Sequence, residues 1–257
     1  MPANQLIYFG DDTQQGAAAY LSGVMLYYGI KFVHIDTALP PPADFVGNRY
    51  SAFILSDYPG RNFSQEQLQF IKDSVAAGSG LLMLGGWDSY CGQNGKYNET
   101  VLTDVLPIIM QDTDDRQNFS QTAVVKVKEE HPVLAGLPWD YPPCIGGCNK
   151  ITAKESTAEN NVQTLLTVIP YDIRIDFEDK GSVRFSSREE LPLLVIGEYG
   201  KGKTAAFATD AAPHWVGGLV DWGKERITQR VSETNEIETG ADYAKFLKQL
   251  IEYVSAG

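Results

Sequence analysis

Short apolar runs alternate with helix-like segments through the first ninety residues, and this alternation limits the fold more than any other feature. The runs cover residues 6–9, 32–35, 52–55 and 81–84. Apolar residues recur at helical spacing over 17–28, and Ser64 with Gln67 forms a capping box for a helix over 64–77 that ends at Gly78. Strands joined by such helices must pair in parallel, because the right-handed crossover places each helix on a sheet face. The pattern predicts an α/β fold around a doubly wound sheet.

The rest of the chain predicts antiparallel strands added to that sheet. Strand-like runs lie near 123–128, 163–169, 192–199 and 203–209. An apolar stripe over 243–254 indicates a final amphipathic helix, with Thr239 as its cap and Asp242 three residues later. Since no repeat, linker or low-complexity tract interrupts the sequence, residues 1–257 are predicted to form one domain.

The acidic balance of the chain excludes two classes of partner. Its 257 residues include 21 Lys and Arg against 33 Asp and Glu, for a net charge of −12. Nucleic-acid binding and docking on anionic membranes both need clustered basic residues, so we expect neither. The sequence shows no secretory signal and no membrane-spanning apolar stretch, which favours a cytoplasmic location. The odd number of cysteines does not fit a disulfide framework and predicts free thiols.

One string that matches the phosphate-binding loop of nucleotide hydrolases is better explained as a hairpin. Residues 197–204, Gly-Glu-Tyr-Gly-Lys-Gly-Lys-Thr, satisfy the pattern G-x-x-x-x-G-K-[ST]. That loop binds phosphate because it opens a helix, and Pro213 leaves too little room for one here. Two apolar runs around a tip rich in Gly and Lys predict a β-hairpin instead. We therefore expect no nucleotide at this loop and assign no cofactor.

Polar residues follow the predicted parallel strands, at the ends where open sheets of this kind bind ligands. They are Asp11 and Asp12 after the first strand, Asp57 after the third, Asp88 and Ser89 after the fourth, and Asp210 and His214 after the last. Short polar residues also suit turns and helix caps, which accounts for many of them singly. Together they predict a binding site for a small molecule at this edge.

Cys91 and His214 are the candidates for covalent chemistry. Cys91 lies just past the fourth strand, and a thiol that meets an imidazole across the sheet forms a nucleophile and base pair. A lone Cys in a loop rich in Gly and Tyr is equally well explained as a small buried residue. Cys144 and Cys148 are predicted to be a structural pair in a loop, because no second ligand cluster accompanies them for a metal site.

The order of strand, helix, strand, strand, capped helix and strand, closing on Gly-Gly-Trp-Asp-Ser-Tyr at 85–90, resembles the class I glutamine amidotransferase-like fold. Within it, the chain is most similar to an uncharacterised family of glutamine amidotransferase-like proteins and, more remotely, to trehalose-utilisation-type proteins. Residues 131–137, 200–203 and 207–215 extend the resemblance over nearly the whole sequence. It implies a flavodoxin-like or Rossmann-like three-layer sandwich, with a mostly parallel central sheet and a pocket at the strand ends.

Working members of that family hold a nucleophilic Cys in a tight turn after a central strand, with a His and a Glu after a late strand. Here that turn, which we call the elbow, consists of Gly85, Gly86 and Trp87. His214 follows a late strand as the resemblance implies, but Asp210 is the nearby acid and no His-x-Glu triplet is present. The resemblance thus supports the fold and the pocket more strongly than glutaminase activity.

The first functional hypothesis is an amidase or other hydrolase acting on a small molecule. In it His214 is the general base, Asp210 orients the imidazole, and Cys91 is the nucleophile. The backbone amides of Gly86 and Trp87 supply an oxyanion site.

Two further hypotheses stand beside it. A non-catalytic ligand-binding or scaffolding protein is favoured by the elbow glycines, which let a ligand approach but cannot attack it. Metal-assisted hydrolysis would use Asp11, Asp57 or Asp88 with His214, as oxygen ligands and one imidazole suit a divalent ion. Three tryptophans near the strand ends indicate a flat apolar ligand surface, a subunit contact in a homo-oligomer, or core packing: Trp87, Trp215 and Trp222.

Overall fold

A computed structural model describes residues 5–157, 160–178 and 181–256. Its strands are β1 (Leu6–Gly10), β2 (Phe32–Ile35), β3 (Ala52–Ser56), β4 (Gly80–Leu84), β5 (Ile108–Ile109), β6 (Arg116–Val127), β7 (Cys144–Asn149), β8 (Thr152–Ala153), β9 (Gln163–Asp176), β10 (Ser182–Ser187), β11 (Leu191–Tyr199), β12 (Gly202–Phe207), β13 (Arg226–Arg230) and β14 (Glu236–Gly240). Its α-helices are α1 (Ala18–Tyr27), α2 (Gln65–Ala77), α3 (Leu102–Val105), α4 (Pro213–Val216) and α5 (Ala241–Ser255).

One large mixed sheet organises the described residues. Its strand order is β2-β1-β3-β4-β12-β11-β9-β6-β7, and β10 pairs with β9 beside this path. The strands from β2 to β12 pair in parallel, whereas β12, β11, β9, β6 and β7 pair antiparallel in turn. The predicted α/β class is confirmed, including the parallel centre and the antiparallel additions that come from the second half of the chain.

The helices cover both faces of the sheet, as the three-layer sandwich requires. The crossovers from β1 to β2 and from β3 to β4 run in opposite directions, so right-handed connections place α1 and α2 on opposite faces. The capping box predicted for α2 is present, with the Ser64 hydroxyl accepting from the Gln67 N–H, and the helix ends at Gly78. In the described part of the chain, no helix has both the length and the apolar character to cross a membrane.

The final helix begins later than predicted. Thr239 belongs to β14, where it pairs with Ile227, and Gly240 is the residue that precedes α5. A Cβ atom at Gly240 would lie 2.0 Å from the Trp222 carbonyl oxygen, so the turn from β14 into α5 requires glycine. The predicted Thr239 cap was wrong because an adjacent strand uses that residue.

The hairpin predicted at the phosphate-loop string is confirmed. β11 and β12 pair antiparallel, with Gly197 opposite Thr204 and Tyr199 opposite Gly202. Gly200 turns the chain with a φ of 60°. Since Lys203 and Thr204 belong to a strand, this string does not open a helix.

The segment around Cys144 and Cys148 is a strand rather than the predicted loop. β7 lies at the edge of the sheet, with Cys144 opposite Val124 and Cys148 opposite Gln117 on β6. Both residues and Cys91 are free thiols, as predicted. The glycines between the two cysteines obscured the strand in the sequence, and Gly147 is needed there because a Cβ atom would lie 2.6 Å from the Trp215 indole nitrogen.

Candidate functional site

The carboxyl ends of β1, β3, β4 and β12 lie along one edge of the sheet, because these strands run parallel. β1 and β3 are neighbours, but the chain continues from β1 to β2 on one side and from β3 to β4 on the other. That reversal of direction is the switch point at which open α/β sheets bind ligands. Asp11 follows β1 and Asp57 follows β3, so two carboxyl groups stand at the switch point.

Three aspartates at this edge adopt left-handed backbone conformations. The φ angle is 56° at Asp11, 56° at Asp12 and 44° at Asp57. Such conformations cost a residue other than glycine about 1–3 kcal/mol each, and they concentrate at functional sites. Asp11 is held by its N–H, which donates to the Ser56 carbonyl at 3.0 Å, and by its carbonyl, which accepts from the Ala18 N–H at 2.6 Å.

The Asp57 carboxyl group faces the elbow. Its Oδ1 accepts the Asp88 N–H at 2.8 Å, while the Asp57 N–H donates to the hydroxyl of buried Ser89 at 3.0 Å. A Cβ atom on Gly86 would lie 2.0 Å from Asp57 Oδ1 and 2.3 Å from its Cγ. The Asp57 carboxyl group therefore fills the place that a side chain on the elbow would take.

Burial raises the pKa of three carboxyl groups at this edge. Desolvation raises the pKa of Asp11 to about 6, although the Tyr8 hydroxyl, which donates to Asp11 Oδ2 at 2.5 Å, opposes the shift. Desolvation, followed by the charge of Asp11, raises the pKa of Asp57 to about 8. Desolvation and the charges of Asp11 and Asp57 raise the pKa of Asp210 well above its usual value. With pKa values of about 6 and about 8, Asp11 and Asp57 exchange protons near neutral pH, which acid–base catalysis requires.

His214 lies at the mouth of this cluster, on the short helix α4. Its Nδ1 is 3.8 Å from Asp210 Oδ2, which is within ion-pair distance but longer than a hydrogen bond. The His214 side chain is 54% exposed, whereas that of Asp210 is 3% exposed. Asp210 Oδ1 is fixed by the Ala212 N–H at 2.9 Å. The structure thus brings the predicted base and its predicted partner together, with the imidazole on the solvent side.

The elbow itself is fixed by a buried network that the sequence did not predict. Asn149 accepts the Gly86 N–H at 2.9 Å and donates to the Gly86 carbonyl at 3.1 Å. The same Asn149 amide donates to Asp115 Oδ1 at 2.7 Å. Gly85 lies against β12, where a Cβ atom would be 2.1 Å from the Ala208 carbonyl oxygen. Asn149 thus occupies the Gly86 N–H, one of the two backbone amides expected to form the oxyanion site.

The family model described as "Putative glutamine amidotransferase" matches residues 51–230 of the chain. The chain belongs to this family. The match includes β3, β4, the elbow, β12 and His214, and so contains most of the edge described above. A search of curated proteins returned no match.

Solved structures similar to this member of the glutamine amidotransferase-like family support the same fold. Cytoplasmic protein STM3548 from Salmonella typhimurium superposes with a TM-score of 0.72 at 24% identity, over 97% of this chain and 98% of that one. Cytoplasmic protein STM1381 from Salmonella typhimurium LT2 gives 0.69 at 25% identity, over 97% and 99%. A ThuA-like protein from Parabacteroides merdae gives 0.55 at 14% identity, over 98% and 90%.

Cys91 of this amidotransferase-like chain lies in an environment that disfavours a thiolate. It is buried, and its N–H donates to Asp115 Oδ2 at 3.1 Å. Burial, followed by the charge of Asp115, raises the pKa of the Cys91 thiol. A nucleophilic Cys needs the opposite shift, since the thiolate is the reactive form. Over the residues that the structure describes, no hydrogen bond or ion pair joins Cys91 to His214.

The three tryptophans that the sequence placed near the site have different environments. Trp215 and Trp222 are buried, and their indole N–H groups donate to Asn118 Oδ1 at 2.9 Å and to the Tyr141 carbonyl at 3.0 Å. Trp87 is 42% exposed, with its ring centre 6.2 Å from that of His214. The ring of Trp215 packs on Gly147 inside the protein, which agrees with the core-packing alternative for this residue.

The aspartates at the strand ends do not form a metal-binding cluster. Within residues 5–157, 160–178 and 181–256, no group of three or more His, Cys, Asp or Glu side chains is arranged to hold a metal ion. Asp88 instead accepts the Asn94 amide at 3.0 Å through Oδ1.

Proposed function

We propose that the chain is a hydrolase of the amidase type that acts on a small polar molecule without a thiol nucleophile. The observation that carries this proposal is the Asp57 carboxyl group, which fills the elbow position next to Gly86 with its pKa raised to about 8. An acid of that pKa keeps its proton at neutral pH and can donate it to a leaving group. The position is the one at which the fold usually places its reacting group.

The remaining roles follow from exposure and charge. His214, open to solvent and 3.8 Å from Asp210, is placed to accept a proton from an attacking water. The water oxygen forms a bond to the substrate carbonyl carbon, His214 takes the water proton, and Asp57 donates its proton as the bond to the leaving amine or alcohol breaks. Burial, followed by the unfavourable interaction with the charge of Asp11, keeps Asp57 protonated.

A non-catalytic ligand-binding protein is the second candidate, and one observation favours it. Asn149 holds both the N–H and the carbonyl of Gly86, so one of the two elbow amides expected to stabilise an oxyanion is already occupied. In this alternative the protonated Asp57 is a hydrogen-bond donor to a neutral ligand.

We also propose that the protein works in the cytoplasm, on a small molecule rather than on a nucleic acid or a membrane. The two similar Salmonella structures are titled cytoplasmic proteins. The net charge of −12 disfavours binding to phosphate-rich surfaces.

The test of the hydrolase is a screen of purified protein against glutamine, chromogenic p-nitroanilides and p-nitrophenyl esters. Asp57→Asn and His214→Ala should each lower the rate by about a hundredfold or more, because each removes one proton-transfer group. Cys91→Ser should retain the wild-type rate. Loss of activity in Cys91→Ser, with activity kept in Asp57→Asn, would overturn the proposed mechanism.

The same compounds distinguish the second candidate by thermal shift. A compound that raises the melting temperature without turnover, and does so less in Asp57→Asn, supports ligand binding alone. Turnover that depends on Asp57 supports the hydrolase.

A further inference from the structure

The end of β9 pairs with β10 beyond the main sheet, and we call residues 171–178 and 181–188 the arm. Residues 163–170 of β9 pair with β11 and β6, but residues 171–176 pair with β10 on one side. On the other side the Gln121 side chain takes the place of a strand. It donates to the Ile173 carbonyl at 3.0 Å and accepts the Ile173 N–H at 2.7 Å. The arm is therefore a two-stranded ribbon, a form that is marginally stable in water without further packing.

One face of the arm is apolar and open to solvent. Ile173 pairs with Phe185 and Ile175 pairs with Val183, and residues paired in this way share a face of the ribbon. The exposed fractions are 52% for Ile175, 48% for Val183 and 64% for Phe185. Phe177, just after the end of β9, is 84% exposed.

The size of this surface matches a subunit contact. The four exposed side chains present on the order of 500 Å² of apolar area, which is at the upper end of the largest patch that a monomer carries. It is more than half of the roughly 800 Å² that each partner buries in a stable interface. Scattered surface hydrophobic residues do not produce a patch of this size.

The charge of the arm suits contact with a second copy of the chain. Its residues include three basic and three acidic side chains, so the arm is neutral while the whole chain carries −12. Arg184 pairs with Asp176 and Arg188 with Asp172 within the arm. Two copies of so acidic a protein repel one another over most of their surface, but meet no net repulsion where two arms approach.

We propose that the chain forms a homodimer in which the apolar faces of two arms pack against each other. Such an interface supplies the second layer that the ribbon lacks. The apolar contact should persist at high salt, because screening weakens ion pairs but not hydrophobic burial.

Sedimentation velocity of the purified chain, from low to high micromolar concentration, tests the dimer. The wild type should sediment as a dimer at the higher concentrations, in low salt and in molar NaCl alike. Phe185→Lys and Ile175→Lys should each raise the dimer dissociation constant by about thirtyfold or more, as expected for a central interface residue. Ser186→Lys lies on the opposite face of the same strand and should leave the dimer intact.

Circular dichroism and melting temperature establish that the variants are folded. A monomeric wild type at high concentration would overturn the proposal, as would a dimer that Phe185→Lys leaves unchanged. A monomer that instead co-sediments with phosphatidylcholine vesicles through Phe177 and Phe185 would assign the arm to a lipid surface and overturn the homodimer.

Discussion

The carboxyl group of Asp57 and a side chain on Gly86 exclude each other, since a Cβ atom on Gly86 would lie 2.0 Å from Asp57 Oδ1. Working amidotransferase-like enzymes carry their thiol at the elbow, and in this chain a thiol there would have to displace a carboxyl group. The carboxyl group is itself fixed by the Asp88 N–H at 2.8 Å. The absence of a nucleophile at the elbow and the presence of an acid after β3 are therefore one structural adaptation.

Gly86→Ala should destabilise the protein by about 2–4 kcal/mol, through its φ of 154° and the overlap with Asp57. Urea unfolding measures the loss. Gly47→Ala is the matched control, because Gly47 has a φ of 96° with nothing within 4 Å of its Cβ position, and it should cost only about 1 kcal/mol. In an Asp57→Ala background the cost of Gly86→Ala should fall by at least about 1 kcal/mol. Simple additivity of the two changes would contradict the mutual exclusion.

Asn149→Ala should cost about 2–4 kcal/mol, because it leaves the buried Gly86 N–H, the Gly86 carbonyl and Asp115 with fewer partners. Asn149→Asp should cost more at pH 8 than at pH 5, since it places a second carboxylate beside Asp115. Asn94→Ala removes a single bond to Asp88 in a half-buried position and should cost about 1 kcal/mol or less. Chemical denaturation compares the three variants. An Asn149→Ala protein as stable as the wild type would show that the network does not hold the elbow.

Asp57→Asn should become more stable relative to the wild type as pH rises. The pKa of Asp57 goes from 3.8 when unconstrained to about 8 in the fold, so the folded state holds a proton that the unfolded chain releases. The stability that this retained proton contributes to the folded state is complete below pH 3.8 and is lost as pH rises towards about 8. The variant does not titrate there and should gain about 1–3 kcal/mol over the wild type by pH 8.

Melting temperature measured from pH 5 to above pH 8 checks this difference. Asp114→Asn is a control whose stability should change in the opposite direction. Its hydrogen bond with Arg116 lowers the pKa of Asp114, so loss of the Asp114 carboxylate should lower the stability of the protein above the acid range. Parallel curves for Asp57→Asn and the wild type would show that the Asp57 carboxyl group is not held in its protonated form.

Cys91 should react slowly with iodoacetamide. Burial and Asp115 raise the pKa of its thiol, so at pH 8 alkylation should be about tenfold slower than that of a small free thiol. His214→Ala should not change the rate, because Cys91 contacts Asp115. Mass spectrometry of the peptide that contains Cys91 gives the rate against pH. A plateau below pH 8 that disappears in His214→Ala would restore Cys91 as a nucleophile.

The secondary-structure elements that the sequence predicted correctly are those marked by short-range patterns. β1 to β4, α1, α2 and the hairpin of β11 and β12 follow from apolar runs, a capping box and a glycine tip. The edge strand β7 was not predicted because Gly146 and Gly147 interrupt its apolar pattern. Gly147 is required there because the Trp215 ring packs against it. The start of α5 was misplaced because Thr239 serves a strand rather than a cap.

The candidate site likewise has residues that the sequence could place and residues that it could not. Asp11, Asp57 and Asp210 could be placed at one edge from strand order alone, because the carboxyl ends of parallel strands meet there. The contribution of Asn149 and Asp115 to the elbow could not be predicted from the sequence, since Asn149 is 63 positions from Gly86 and neither residue lies in a motif. Local periodicity does not reveal packing across the sheet. It therefore could not predict the acidic surroundings of Cys91 or the burial of Trp215.

The position of β12 in the sheet has a consequence for synthesis. β4 is wholly apolar, and its partner on one side is β12, which the ribosome makes only after residues 85–201. Until then the nascent chain presents β4 as an open edge, the kind of edge that mispairs with other chains. The parallel half of the sheet is completed only when residues 202–207 insert between β4 and β11. The same insertion closes the open edge of β4 and brings Asp210 next to the carboxyl groups of Asp11 and Asp57.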